Sequence, residues 1–260
     1  MEKKSVFKID NRYFDLLIYR SFAELKSEAA RAYLGVLWWL IEPLLYLSVF
    51  YVVFGLILKR GGEGYVSFLL CGLVVWKWFE STVKTASGTI AHSVGLMGQV
   101  YFPKIILPGI VIVTNTFKFL IILAVFIVFL VFCGTKPTVA WLGLPILIIV
   151  EYLFISASAC LVAAIVTFIP DMKHLVNYAI TLMFFMSGIF FGLDTIPENI
   201  RCYFLFNPMV VIIDGYRMVL LKGISPDWIT VGYVAMASLF FLGTVILLFK
   251  KYDRIFPRVV

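Results

Sequence analysis

The sequence predicts an all-α polytopic membrane protein. Six transmembrane helices are expected, with an N-terminal amphipathic interface helix before the first and a re-entrant helical hairpin before the last. Three observations predict this class. Of 260 residues, 62% are hydrophobic and 14% charged, where a soluble domain carries about 25% charged residues. Several apolar runs reach the roughly 20 residues a helix needs to cross a bilayer. Basic charge gathers at both ends: of 22 Lys and Arg, seven precede Val36 and four follow Phe249. That is the distribution of segments kept on the cytoplasmic side of an inner membrane. A single transmembrane domain over 1–260 accounts for the chain.

The elements follow in order. Residues 12–30 place Phe14, Ile18, Phe22, Leu25 and Ala29 on one helical face, with Asp15, Lys26 and Glu28 off it. This pattern fits a helix lying in the membrane interface, apolar side down. The first span is 36–58, followed by a polar loop at 59–64 and a second span at 65–84. The segment 85–104 is too polar and Gly-rich to cross. Spans three, four and five are expected at 105–132, 141–168 and 175–191, with short polar links at 134–138 and 170–174.

Residues 192–227 carry two apolar pieces, 203–206 and 209–221, each too short to cross. Asn207-Pro208 between them is a helix-start signal, Asn as cap and Pro in the first turn. Irregular backbone at membrane depth persists only under cover of protein or water. A re-entrant hairpin is expected here; a helix lying on the outer surface is the other arrangement. The last span is 228–249. Six spans with basic ends put both termini in the cytoplasm. The first 35 residues are charged and lack a short apolar run ending in a cleavage site, so the first span serves as its own insertion signal.

Composition also excludes function classes. Cys71, Cys133, Cys160 and Cys202 form no CxxC pair, and His92 and His174 are the two histidines. A metal centre or a disulfide framework is not expected, and the cysteines read as apolar thiols. The net charge of +7 follows the membrane-side bias and is no nucleic-acid patch. A G-x-x-x-x-G-K-[ST] phosphate loop is missing, so the chain does not cradle ATP by that means. A membrane glycosyltransferase or acyltransferase would need an acid, base or nucleophile cluster, and the sequence offers no DxD. An ion-coupled secondary transporter would be favoured by inverted repeats, which are not apparent.

Ionisable residues inside spans are costly and mark a pair or a pathway. Glu42 lies six residues into the first span, roughly 9 Å deep, and Lys77 lies in the same half of the second. Their depths suit a Glu42–Lys77 pair. Lys77, Glu80 and Lys84 share one helical face. Lys118 and Glu151 differ in depth by only about 6 Å. Two arrangements are open for them: a pair across adjacent helices, or a snorkelling Lys118 beside a protonated or hydrogen-bonded Glu151. Asn115 shares the face of Lys118. The 44 aromatic residues supply interfacial belts such as Trp38-Trp39, lipid-facing packing, or stacking surfaces for sugar rings.

Three stretches carry a resemblance. The motif L-G-V-L-W-W-L-I-E-P at 34–43 fits L-G-x-x-W-x-x-x-x-P on Leu34, Gly35, Trp38 and Pro43. The segment G-L-M-G-Q-V-Y-F-P-K at 95–104 fits G-L-I-x-x-V-x-F-P, and F-N-P-M-V-V-I-I-D-G-Y-R at 206–217 fits an N-P motif followed by Arg. In this order they resemble the ABC-2 type permeases of bacterial polysaccharide exporters, of the O-antigen and capsular kind, over nearly the whole chain. One departure is Glu28-Ala29, where members often carry Arg and Tyr; it leaves the interface helix less basic.

The resemblance implies a transport subunit and no enzyme. It implies a homodimer with a channel between copies, a cytoplasmic ABC ATPase partner that binds ATP and Mg, and an undecaprenyl-diphosphate-linked polysaccharide as cargo. Capsule, teichoic acid or a small lipophilic compound are the alternative cargoes. A coupling helix within 88–102, carrying His92, Gly95, Leu96, Met97 and Gln99, would dock on the ATPase. Trp38, Glu42, Pro43, Lys77, Lys118 and Glu151 would border the channel or its entry. For Glu42 two readings stand: a polar gap at the entrance, or a local pair beside a proline kink. Asn207, Pro208, Asp214 and Arg217 would form the outer gate, with Arg217 touching the carrier or pairing with Asp214.

Overall fold

A computed structural model describes residues 11–31, 33–57, 64–93, 95, 102–253 and 255–256. Among the described residues every regular element is helical. In chain order these are α1 (Asn11–Arg31), α2 (Trp38–Phe50), α3 (Tyr65–Ala86), α4 (Thr89–His92), α5 (Ile106–Phe132) and α6 (Leu144–Phe168). The remainder are α7 (Met172–Met186), α8 (Glu198–Leu205), α9 (Pro208–Arg217) and α10 (Trp228–Tyr252). The helix α2 continues into a wider i→i+5 winding at Tyr51–Ile57, and α9 does the same at Met218–Lys222.

Among the described residues four helices are long and apolar enough to cross a bilayer: α3, α5, α6 with the turn before it, and α10. Of the other two expected places, one holds α2 with its continuation to Ile57 and the other the 15-residue α7. At 1.5 Å per residue the 15 residues of α7 extend about 22 Å, less than the hydrocarbon thickness of about 30 Å. This fifth element starts at Met172, before the expected 175, and stops at Met186, short of 191. The reason is local. Gly188 takes a left-handed φ of 74°, which ends a helix. Ser187 Oγ meanwhile donates to the Met183 carbonyl at 2.6 Å.

The helix α3 sits at the centre, touching α2, α5, α6, α7 and α9. It is apolar on nearly all sides over 69–79, as a helix enclosed by others must be. Trp78 stacks on Phe119 of α5 at 4.1 Å, and Phe79 on Phe154 of α6 at 5.4 Å. The helix α10 packs along α6.

α1 lies against the first part of α5. Ser21 Oγ donates to the Leu17 and Ile110 carbonyls, and Phe22 meets Phe117 at 5.1 Å. The packed strip is Tyr13, Leu17 and Ser21, while Phe14 and Phe22 of the apolar face stay exposed.

α8 and α9 meet at 104°. Asn207 caps α9 as expected: its Oδ1 accepts the Met209 N–H at 3.1 Å, and Nδ2 donates to Ser187 Oγ at 3.0 Å. Met209, Ile213, Tyr216, Val219 and Leu220 have no exposed surface. The segment 208–222 is therefore a core element against α3, α6 and α10. Its neighbour α8, by contrast, has no buried residue.

Arg217 fixes this core element in place. It is 2% exposed. Nη1 donates to the Gly188 carbonyl at 2.6 Å and to Phe191 at 3.3 Å. Nη2 donates to Ile189 at 2.8 Å and to Phe68 at 3.2 Å, and Nε to Phe68 at 3.3 Å. The guanidinium also lies 3.4 Å from the Phe68 ring centroid. Gly72 makes room, since a Cβ there would meet Nη2 at 2.8 Å.

Replacing Arg217 by Lys removes the planar fork, and replacing it by Met orphans the carbonyls of 188, 189 and 191. Each orphaned carbonyl costs about 1–3 kcal/mol. R217M is expected to lower stability by at least about 3 kcal/mol, R217K by less, and G72L to behave like R217M. Detergent-unfolding curves of the three variants check this.

Candidate functional site

The candidate site is a groove lined by α1, α2, α3 and α5. It is a set of adjoining cavities. The smallest, about 160 Å³, is lined by Glu28, Trp38, Trp39, Glu42, Lys77 and Lys118, among others. A larger one, about 630 Å³, shares Glu28, Thr85, Asn115 and Lys118 and opens between α1, α4 and α5 beside Arg20, Glu24 and His92. A third, about 290 Å³, shares Lys77 and is walled by Pro43, Tyr46, Phe50, Trp76, Phe184 and Phe185.

The helices place these side chains for simple reasons. Arg20, Glu24 and Glu28 recur every four residues and so form one polar strip on α1. Lys77, Glu80 and Lys84 form the matching strip on α3. Glu42 enters from α2 one residue before Pro43, where the missing N–H loosens the helix.

The lysines of the groove are paired with carboxylates. Lys77 Nζ lies 2.6 Å from Glu42 Oε1 and 3.7 Å from Glu80. Lys84 lies 2.6 Å from Glu80. The Glu42–Lys77 pair expected from depth is thus present. Lys118 pairs with Glu28 and sits 5.5 Å from the centroid of the Trp39 ring.

Two sequence expectations are corrected here. Lys118 does not pair with Glu151. Equal depth does not give equal rotation: the Lys118 face of α5 turns toward α1, whereas Glu151 on α6 points into the core. Glu151 has no exposed surface, makes no well-formed hydrogen bond among the described residues, and has the buried Tyr216 as its polar neighbour. It does not line the groove cavities. Nor does Arg217 pair with Asp214 or face outward. Its five N–H groups are spent on carbonyls, so none is left for a ligand from outside.

Of the other candidates, Trp38, Glu42, Lys77 and Lys118 line one cavity, and Pro43 the next. Asn207 and Pro208 begin α9. Asp214 borders a separate cavity of about 300 Å³ with Arg201 and Asp227. His92 ends the single turn of α4, and Gly95 is exposed near it; a helix over all of 88–102 is not seen among the described residues. Leu96, Met97 and Gln99 lie outside the described residues. Sequence reasoning passed over Glu28 as a site residue, placing it off the apolar face of the first helix and noting it as a departure. The four-residue spacing of Arg20, Glu24 and Glu28 was the signal that would have found it.

Residues 15–221 match the ABC-2 type transporter family, and the chain belongs to that family. More particularly, it is 27% identical over 241 residues to the O-antigen export system permease protein RfbA of Klebsiella pneumoniae, covering 92% of this chain and 93% of that protein. It is 30% identical over 218 residues to the protein of the same name from Myxococcus xanthus, covering 83% and 84%. It is also 25% identical over 257 residues to the polysialic acid transport protein KpsM of Escherichia coli, covering 96% and 97%.

Two measurements test the electrostatics. A double-mutant cycle with E42Q and K77M should give a coupling energy of about 1 kcal/mol in detergent unfolding; independent effects would remove the pair from consideration. In the segment before α8, the hydrogen bond and charge of Lys222, helped by Arg201, hold the Asp194 carboxyl below its ordinary value of 3.8. Its folded-state value is depressed, so the Asp194–Lys222 contact at 2.9 Å is complete above 3.8 and lost as pH falls through the lower folded value. Hydrogen exchange over 193–195 should speed up on acidification below that point in wild type, and be fast at neutral pH in D194N.

Proposed function

We propose that this chain is the transmembrane permease subunit of an ABC exporter that moves an O-antigen-type polysaccharide outward across the bacterial inner membrane. The polymer travels on an undecaprenyl diphosphate carrier. ATP and Mg are bound and hydrolysed by a separate cytoplasmic subunit. Two copies of the chain form the channel, with both termini in the cytoplasm. The observation that carries this reading is similarity over most of the chain to proteins named as O-antigen export permeases, at 27% and 30% identity. The paired charges and aromatic walls of the groove support it as the entry, since a polymer of hydroxyl groups needs a polar but uncharged path.

Movement comes from the ATPase. The turn 89–92 lies beside the link at 170–174: a Cβ on Gly88 would meet the His92 ring at 2.9 Å and Lys173 Nζ at 3.8 Å. Both inside segments then form one docking face, with His92, Gly95, Leu96, Met97 and Gln99 at the ATPase. The hairpin of α8 and α9 closes the outer end. Asn207 and Pro208 set its bend, Asp214 lies on its outer cavity, and Arg217 anchors it. A second reading, export of a capsular polymer, draws on the similarity to a protein named for polysialic acid transport.

Deleting the gene in its native strain should abolish surface O-polysaccharide and leave lipid-linked polymer inside. ATP hydrolysis should appear in a two-plus-two complex with the ATPase and lose its dependence on the permease when 95–99 is scrambled. Loss of capsule with intact O-polysaccharide selects the second reading. Normal surface polymers of both kinds overturn the proposal.

A further inference from the structure

Asn115 makes no hydrogen bond to any described residue, yet the residue is only 6% exposed. It lies in the wall shared by the smallest and the largest cavities of the groove, together with Glu28, Thr85 and Lys118. An amide carries two donors and a carbonyl acceptor. The amide atoms are not fully enclosed and open on these cavities, where a ligand or water completes them.

We infer that this part of the groove is a saccharide subsite, taking a pyranose ring of the cargo rather than the carrier's diphosphate. The inference rests on the reading that the cargo is a polysaccharide. Three features select the sugar. Every cation lining the smaller cavity already has a carboxylate partner, Lys118 with Glu28 and Lys77 with Glu42. A diphosphate would therefore meet compensated charge and close carboxylates. Sugar hydroxyls both donate and accept, which matches the Asn115 amide, the Glu28 and Glu42 oxygens and the Thr85 hydroxyl. Trp38 stands half exposed at the rim, offering an aromatic face to the C–H side of a ring. A zwitterionic phospholipid headgroup would share the charge balance but has few hydroxyls and no flat apolar side for Trp38.

The experiment is saturation-transfer NMR on the purified permease in nanodiscs, with methyl glycosides of glucose, galactose, mannose and N-acetylglucosamine as probes. Transfer to the ring C–H protons of at least one glycoside is expected, unaffected by inorganic pyrophosphate or by the phosphatidylethanolamine content of the disc. Binding should weaken about tenfold in N115L, a loss of about 1.4 kcal/mol, and similarly in W38A. Trp38 is a rim residue, so W38A carries the test if N115L does not fold. No transfer to any glycoside, equal transfer in the variants, or displacement by pyrophosphate or phosphatidylethanolamine overturns the inference. Wild-type restoration of surface polymer to a deletion strain, without glycoside contact, would sink the subsite and leave the export function standing. Glycoside contact with no export defect on deletion would do the reverse.

Discussion

The guanidinium of Arg217 directs all five N–H groups at main-chain carbonyls, and three of those carbonyls belong to the stretch where α7 has stopped winding. Backbone without a helix partner at this depth must find donors. One side chain supplies them from α9, and it also reaches Phe68 of the central helix. The shortness of α7, the bend between α8 and α9 and the burial of 208–222 therefore form one arrangement. Gly72 belongs to it, because its missing side chain is the space the guanidinium fills. Asn207 closes the same junction from the other end by capping α9 and holding Ser187.

On the opposite side the structure uses charge differently. Arg217 is buried among dipoles, whereas the groove lysines each face a carboxylate. Glu28 is the informative case. As a sequence feature it is a departure that makes α1 less basic. In the fold it balances Lys118, which would otherwise stand as a lone cation partway along α5. That balance removes the net positive charge Lys118 would otherwise bring to the wall of the groove.

Much of the fold was legible in sequence because it rests on periodicities and end signals. Run length located α3, α5, α6 and α10 to within a few residues, and Asn207-Pro208 located the start of α9. Depth along a span was also legible, which is why Glu42 and Lys77 were matched. Rotation about the helix axis was not. Rise per residue says how far down Lys118 and Glu151 lie but not which way each faces: Lys118 meets Glu28 of α1, and Glu151 has Tyr216 of α9 as its polar neighbour. Arg217 was misjudged for a related reason. Asp214 stands three residues away on the same helix, whereas main-chain carbonyls leave no mark in the side-chain pattern. The stop of α7 rested on one glycine inside an apolar run, too slight a signal against the residues around it.

The pairing in the groove has an electrical consequence. Three carboxylates, Glu28, Glu42 and Glu80, stand with three ammonium groups, Lys77, Lys84 and Lys118. A unit charge carried through the whole membrane field exchanges about 2.3 kcal/mol per 100 mV. A set summing to zero that moves as one body exchanges almost none. When these six paired groups move together they contribute almost nothing to work done by the membrane potential or against it. An energised cell and a depolarised one present these pairs with the same mechanical problem, and the voltage across the membrane is no lever on them.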